Sequence, residues 1–131
     1  MVQLELYNDA FTLESDDLII EKYPKLFWVE CKMKIVIDNQ IFYDDWINPL
    51  ELYFQYKNWY RKVCEKNLTS FYYNTIDHNK NPIIALIFDY KENRWSFDGT
   101  FKNYYEKKTF TTKEVLDLFE QFETQLLTHI K

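Results

Sequence analysis

The sequence predicts an α+β fold in which an antiparallel sheet of about five to six strands packs against two main helices. Several short segments have the patterns of strands, and two longer segments combine helical periodicity with sequence signals for helix starts. The strands follow one another without the regular strand–helix–strand alternation of a parallel sheet. The 131 residues contain no repeat, no low-complexity stretch and no linker. We therefore expect residues 1–131 to form a single α+β domain.

The first third of the chain has the clearest strand pattern. Apolar and polar residues alternate from Val2 to Tyr7 and again from Phe27 to Ile37, which is typical of strands with one buried face. Asp38-Asn39-Gln40 then predicts a hairpin turn, with the chain returning through Ile41-Phe42-Tyr43. Between the two strands, Ser15-Asp16-Asp17 predicts the start of a short helix that ends near residue 24.

The first long helix is predicted to begin at Asn48-Pro49, because Asn can cap a helix and Pro suits its first position. Leu50 and Phe54 lie one turn apart on the otherwise polar side of this helix. The apolar side, which we expect to face the core, comprises Leu52, Tyr53, Tyr56, Trp59, Tyr60, Val63 and Cys64.

Three further strands and a second helix are predicted in the C-terminal half. The strands are Thr69–Ile76, Pro82–Asp89 and Arg94–Phe101, and the second of them is apolar throughout, which favours a central position in the sheet. Thr111 and Glu114 have the spacing of a capping box at the start of the second helix. Its apolar stripe comprises Val115, Phe119, Phe122, Leu126 and Ile130, with Leu118 beside it.

Composition excludes several classes of protein. An aromatic share of 20% argues against intrinsic disorder. The net charge of −5, with 21 carboxylates against 16 cations, argues against nucleic-acid binding. Lys102, Lys107 and Lys108 interleave with aromatic residues, but this single stretch is better interpreted as a solvated linker. The sequence shows no run long and apolar enough to cross a membrane, and residues 1–5 lack the features of a secretion signal, so we expect a cytoplasmic protein.

Motifs for catalysis or for cofactor and metal binding are missing from the sequence. Two Cys and two His at distant positions do not match the ligand spacing of zinc sites. The single glycine, Gly99, excludes phosphate-binding loops and a strained nucleophile turn. The pairs Asp16-Asp17 and Asp44-Asp45 do not repeat the spacing of a calcium loop, and we expect the first to cap a helix and the second to lie in a solvated loop. We therefore expect no metal, no cofactor and no enzymatic activity.

Three features are candidates for binding a protein partner. The first is the segment Tyr43-Asp44-Asp45-Trp46, predicted to be a loop, because aromatic anchors beside carboxylates suit a basic partner. The alternative is that Trp46 packs into the sheet edge. The second is Phe54, with Leu50, on the polar side of the first helix. These two side chains are equally compatible with packing under the N-terminal segment. The third is a row of carboxylates on the last helix that includes Glu120 and Glu123, although such a row is usually only a solvated face.

The chain also resembles a known group of proteins. The residues behind this resemblance are the hairpin Phe27 to Tyr43, Asn48-Pro49-Leu50-Glu51-Leu52 at a helix start, and Asn81-Pro82-Ile83-Ile84 leading into Arg94-Trp95. Together with the small size, the acidity and the aromatic content, they resemble the immunity proteins of bacterial polymorphic-toxin and contact-dependent inhibition systems. The resemblance implies a cytoplasmic protein that binds and blocks a cognate toxin, often a basic nuclease. It assigns no role to individual residues.

Three functional hypotheses follow from the sequence. The first is a stoichiometric inhibitor that binds a basic toxin domain. The second is a structural or regulatory interaction module, in which a homodimer forms through a sheet edge. The third is a small enzyme or ligand carrier with a pocket lined by His78 or by buried carboxylates.

Overall fold

The computed structural model describes residues 1–76 and 80–131, and in these ranges the chain has the expected antiparallel α+β architecture. The apolar side chains of its strands and of its two long helices form one buried cluster. The elements in chain order are β1 (Val2–Tyr7), α1 (Lys25–Trp28), β2 (Cys31–Ile37), β3 (Gln40–Ile47), α2 (Pro49–Cys64), β4 (Phe71–Tyr73), β5 (Ile84–Asp89), β6 (Arg94–Asp98) and α3 (Thr112–Leu127).

The strands form two sheets rather than the one sheet that the sequence predicts. Within the described ranges, β1, β2 and β3 form one three-stranded antiparallel sheet in that order, and β4, β5 and β6 form another. The expectation of a single sheet of five to six strands was therefore wrong. Helix α2 lies in the chain between β3 and β4, which do not pair with each other.

The predicted hairpin turn is confirmed, and the strand after it is longer than expected. Asp38 and Asn39 adopt positive φ angles of 48° and 69°, which suit a tight hairpin. A bulge then shifts the β2–β3 register, so that Ile35 faces Tyr43 while Val36 faces Ile41. The extra residue, Phe42, is buried together with Tyr43. The segment Tyr43–Trp46 was predicted to be a loop, but it lies within strand β3.

The start of the predicted strand at Phe27 was also wrong. Residues 25–28 form the short helix α1, and the strand begins only at Cys31. Leu26 and Val29 are buried, which is a helical spacing, while Trp28 is 76% exposed. No helix starts at Ser15–Asp17. Instead, the buried carboxylate of Asp17 accepts the Glu14 N–H at 2.7 Å.

Both long helices occur where the sequence predicts them. Helix α2 begins at Pro49, and α3 has the complete capping box between Thr111 and Glu114. The predicted faces are only partly correct for α2. Leu50, on the side expected to be polar, is buried, whereas Cys64, on the side expected to be apolar, is exposed.

The strands of the second sheet are shorter than predicted. Beyond their ends, the backbone makes other contacts instead of continuing the strand pairing. The Gln55 side chain accepts the Asn74 N–H at 3.0 Å and donates to the Asn74 carbonyl at 2.8 Å, just after β4. Strand β6 ends before Gly99, where the chain passes close to Ile83. A Cβ atom at Gly99 would lie 2.3 Å from the Ile83 carbonyl oxygen, so only glycine fits this approach.

Two glutamines of α3 hold the outer edge of β1. The Gln121 side chain accepts the Leu4 N–H at 2.8 Å and donates to the Val2 carbonyl at 3.1 Å. The Gln125 side chain accepts the Leu6 N–H at 2.7 Å and donates to the Leu4 carbonyl at 2.6 Å. These amides replace a neighbouring strand, which protects the edge from pairing with another chain.

We predict that Gln125→Ala destabilises the fold by about 2 kcal/mol, because it leaves the Leu6 N–H and the Leu4 carbonyl without their partners in a largely buried position. Gln125→Glu keeps an acceptor for the Leu6 N–H and has a smaller effect. The measurement is the free energy of unfolding from urea titration.

Thr124→Ala is the matched control, because Thr124 is exposed on the same turn of α3. Its effect is expected to stay within about 0.5 kcal/mol. Equal stabilities of Gln125→Ala and Thr124→Ala would contradict the role given to the glutamine.

Candidate binding cleft

The four residues of the predicted binding segment lie on strand β3 and alternate between the two faces of its sheet. Cross-strand partners share a face, so Tyr43 and Asp45 lie on the inner face with Ile35 and Met33. Asp44 and Trp46 face outward, opposite Lys34 and Lys32. The four residues therefore do not form one patch.

The inner-face pair borders a cleft of about 310 Å³ at the end of β3 and the start of α2. Its mouth has two carboxylates, and its walls and floor are mainly aromatic, aliphatic and small polar side chains. The lining comprises Glu30, Tyr43, Asp45, Trp46, Ile47, Asn48, Tyr73, Thr75, Ile83 and Phe101.

The floor of the cleft is fixed by hydrogen bonds between buried groups. The Tyr73 hydroxyl accepts the Asn48 backbone N–H at 3.2 Å and donates to Glu51 Oε1 at 3.1 Å. The Asn48 side-chain amide donates to Thr75 Oγ1 at 3.4 Å. Burial raises the pKa of Tyr73 well above its ordinary value, so its hydroxyl remains a donor. The floor is therefore preformed.

Tyr43 completes the inner wall. Its hydroxyl donates to the Trp46 carbonyl at 3.1 Å, which explains how Trp46 borders the cleft although its indole faces outward. Burial, and then the charges of Asp45 and Asp44, raise the pKa of Tyr43 far above its usual range. This side chain is a protonated, hydrogen-bonded part of the wall.

The mouth of the cleft carries uncompensated negative charge. Glu30 is exposed and Asp45 is partly exposed. Asp45 Oδ1 accepts the Trp46 N–H at 2.7 Å. Neither carboxylate forms an ion pair with any Lys or Arg in residues 1–76 and 80–131. Two carboxylates without a cation favour a positively charged ligand.

The outer face of the same sheet is balanced in charge. The Tyr7 hydroxyl donates to Asp44, and this hydrogen bond, with burial and nearby carboxylates, raises the pKa of Tyr7 to about 12. Lys32 Nζ lies 5.9 Å from the Tyr7 ring centre and 5.8 Å from that of Trp46. Asp44 also faces Lys34 across the strands. Its charge is therefore less available to a partner than that of Asp45.

Phe54 lies in a separate groove between the N-terminal segment and α2. The groove has a volume of about 860 Å³, and Phe54 itself is only partly buried. Leu50 is buried. The apolar residues that line the groove are Ile19, Ile20, Tyr23, Leu26, Phe27, Phe54 and Ile76.

Glu120 and Glu123 of α3 do not contribute to the cleft. Glu123 accepts a hydrogen bond from the Tyr53 hydroxyl at 3.2 Å, and Lys57 donates to that same hydroxyl at 2.8 Å. Glu120 is exposed beside Asp117; loss of hydration and this neighbour raise its pKa. The carboxylate row is thus a separate surface, partly engaged in contacts within the chain.

His129 is the one histidine within the described ranges, and it makes contacts within the chain. His129 Nε2 lies 2.8 Å from Asp9 Oδ2, and its ring stacks on Phe11 with centres 4.1 Å apart. It ties the end of α3 to the N-terminal segment. His78 lies outside the described residues. No group of three or more potential metal-ligating side chains occurs among residues 1–76 and 80–131. Of the helices that the structure describes, none combines the length and apolar character that a bilayer crossing requires.

Sequence reasoning missed most of the residues that build the cleft. Asn48 was expected to cap α2, but its side chain makes no capping hydrogen bond and contacts Thr75 instead. Glu30 and Tyr73 carried no local signal, because each was one of several polar or aromatic residues in a strand pattern. Only the long-range contacts of Tyr73 show its importance.

Comparison with known families adds one finding. A family model described as "Domain of unknown function (DUF7878)" matches residues 10–131. The chain belongs to this family. All the residues that line the cleft lie within the DUF7878 match. No curated protein and no solved structure matches the chain.

We predict that Tyr73→Phe costs roughly 1–3 kcal/mol of stability, because it leaves the buried Asn48 N–H and Glu51 Oε1 without the hydroxyl. Urea unfolding measures this change. Tyr72→Phe is the matched control, since Tyr72 is exposed on the same strand. If both variants are as stable as the original chain, the Tyr73 hydroxyl does not hold the floor.

Proposed function

We propose that the chain is a non-catalytic binding protein of the immunity or antitoxin type, which works in the cytoplasm by binding and blocking a cognate toxin with a basic surface. The observation that carries the proposal is the cleft with Glu30 and Asp45 at its mouth, two carboxylates without a cation among the described residues. A basic partner would supply the missing charge.

The cleft is ordered before any partner binds, which favours tight association. The floor groups are hydrogen-bonded to one another, and Tyr43, Asp45 and Tyr73 of the lining lie on strands β3 and β4. A surface that is already ordered loses little conformational entropy on association.

The proposal is tested by capture of a partner from the native host, followed by charge reversal. We expect one basic protein to be retained at equal stoichiometry and its toxic activity to stop when the chain is added. Asp45→Lys is expected to weaken the complex by at least about tenfold, because it places a cation against a basic surface. Isothermal titration calorimetry measures the affinity.

Asp44→Lys is the matched control. Asp44 is the adjacent residue on the same strand but faces outward, where it accepts a hydrogen bond from the Tyr7 hydroxyl and lies opposite Lys34. We expect it to change the affinity by less than about threefold, as for a charge outside the contact. An unchanged affinity for Asp45→Lys would reject the cleft as the contact surface.

A homodimeric interaction module is the second candidate, and the apolar groove favours it. Ile19, Tyr23 and Ile76 on its walls are 76%, 68% and 73% exposed. Apolar side chains grouped in this way are typical of interaction surfaces. The β1 edge, in contrast, is occupied by Gln121 and Gln125, so a dimer through that edge would first have to displace them.

For this second candidate, sedimentation equilibrium is expected to show a mass that rises towards twice the monomer mass with concentration. Ile19→Lys would abolish the rise, because it places a charge in the apolar contact. Leu127→Lys, at an exposed apolar position on α3, is the control and would leave the rise intact. A constant monomer mass at millimolar concentration excludes the dimer.

A further inference from the structure

We infer that the groove between the N-terminal segment and α2 binds the same groove of a second copy of the chain, through apolar contacts and two reciprocal Glu21–Arg61 ion pairs. This contact rests on the second candidate function, the homodimeric module, and specifies which residues meet across the interface. The groove and the cleft share no lining residue. A dimer of this kind therefore uses a surface other than the one proposed for a toxin.

One wall of the groove is a face of α2. Phe54, Asn58 and Arg61 follow one another at spacings of four and three residues, which places them along one side of the helix. The stretch from Phe54 to Arg61 is roughly 10 Å long at the usual rise of an α-helix. This wall therefore runs from a partly buried aromatic ring to an exposed cation.

The other wall, the N-terminal segment, is held in place by ion pairs. The buried carboxylate of Asp17 lies 2.7 Å from Lys25 Nζ and 3.3 Å from Lys22 Nζ, and Lys22 also pairs with Asp16 at 2.6 Å. These contacts join residues before the exposed apolar side chains of the wall to residues after them. The wall is therefore ordered, and both of these lysines are already paired within the chain.

The two exposed charges that line the groove have opposite signs. Glu21 lies on the N-terminal wall and Arg61 on α2, and neither forms an ion pair within residues 1–76 and 80–131. Glu51, which also lines the groove, is buried and accepts the Tyr73 hydroxyl. In a two-fold dimer, each contact between two different residues occurs twice, once in each direction. Glu21 of each copy can therefore pair with Arg61 of the other.

This balance of charge distinguishes the groove from the cleft. The mouth of the cleft carries two carboxylates, and no Lys or Arg is among the described residues that line it, which favours a basic partner. The groove carries one exposed acid and one exposed cation, which favours a partner with the same pattern. A second copy of the chain has that pattern, whereas a uniformly basic surface would meet Arg61 with a like charge.

The exposed apolar area of the groove is close to what a stable dimer needs. Four large apolar side chains that line it are from 54% to 76% exposed: Ile19, Ile20, Tyr23 and Ile76. At on the order of 150 Å² for each fully exposed side chain, these four present roughly 400 Å². Phe27 and Phe54, both partly buried, add to this area. A standard interface buries about 800 Å² on each partner, of which about 65% is apolar in homodimers. The groove therefore supplies most of the apolar area required.

The test combines charge reversal with mixing. Glu21→Arg and Arg61→Glu are each expected to weaken the dimer at least about tenfold, because like charges then meet twice across the interface. Equimolar mixing of the two variants is expected to restore dimerisation, since every charged contact in the mixed dimer joins opposite charges. Sedimentation velocity measures the dimer fraction, and native mass spectrometry identifies the mixed dimer by its mass.

Glu14→Arg and Lys62→Glu are the matched controls. They make the same changes of charge at exposed positions of the N-terminal segment and of α2 that do not line the groove. We expect each to change the dimer affinity by less than about threefold. Glu21 and Arg61 are exposed and form no ion pair in the described ranges, so their reversal leaves the fold intact, which urea unfolding checks.

Three results would overturn the inference: a chain that stays monomeric at millimolar concentration, single reversals that dimerise like the original chain, or mixed variants that remain monomeric. In the last two cases, a dimer that Ile19→Lys abolishes rejects only the ion pairs, and the homodimeric module stands. A monomeric chain that loses its captured partner on Ile19→Lys would assign the groove to that other protein. The proposed inhibitor function is tested separately, by Asp45→Lys in the cleft.

Discussion

Side-chain amides that satisfy the backbone at the sheet edges are the interaction on which the rest of this structure depends. An unpaired strand edge must be hydrogen-bonded, covered or blunted. In the described part of the chain, Gln121 and Gln125 do this for β1, Asn103 donates to β3 carbonyls, and Gln55 pairs with the end of β4. The edge of β6 is closed by a backbone bridge to Phe110. These contacts allow two small sheets to remain separate.

The same contacts position the cleft. Asn103 holds the stretch after Gly99 against β3, which brings Phe101 to the cleft wall. Gln55 holds Asn74, and the next residue, Thr75, lies on the floor. The Tyr73 hydroxyl then joins β4 to the start of α2 through Asn48 and Glu51. The cleft therefore forms where the two sheets and α2 meet, and its charge comes from residues that the fold leaves at the mouth.

Local pattern predicted the elements that depend on local interactions. The capping box at Thr111, the helix start at Pro49 and the turn at Asp38-Asn39 were all correct, because each is set by residues within one or two turns. The α1 helix was missed because its four residues interrupt an alternation that continues into β2. A short helix leaves too little periodicity to detect.

The candidate site was predictable only in part, because it depends on contacts between distant residues. The segment Tyr43–Trp46 was identified, but the bulge at Phe42 and the pairing with β2 decide that Asp45 faces the cleft and Asp44 faces away. A shift of one residue along a strand exchanges the two faces. Pairing of two glutamines with a strand more than a hundred residues away leaves no local pattern either.

The central claim is that a basic partner contacts the cleft with Glu30 and Asp45 at its mouth. The structure of the chain bound to its captured partner tests this claim most directly. We predict that a basic side chain of the partner lies against Glu30 and Asp45 at the mouth of the cleft. A complex in which the cleft is left open and the partner covers the groove around Ile19 and Phe54 would contradict it.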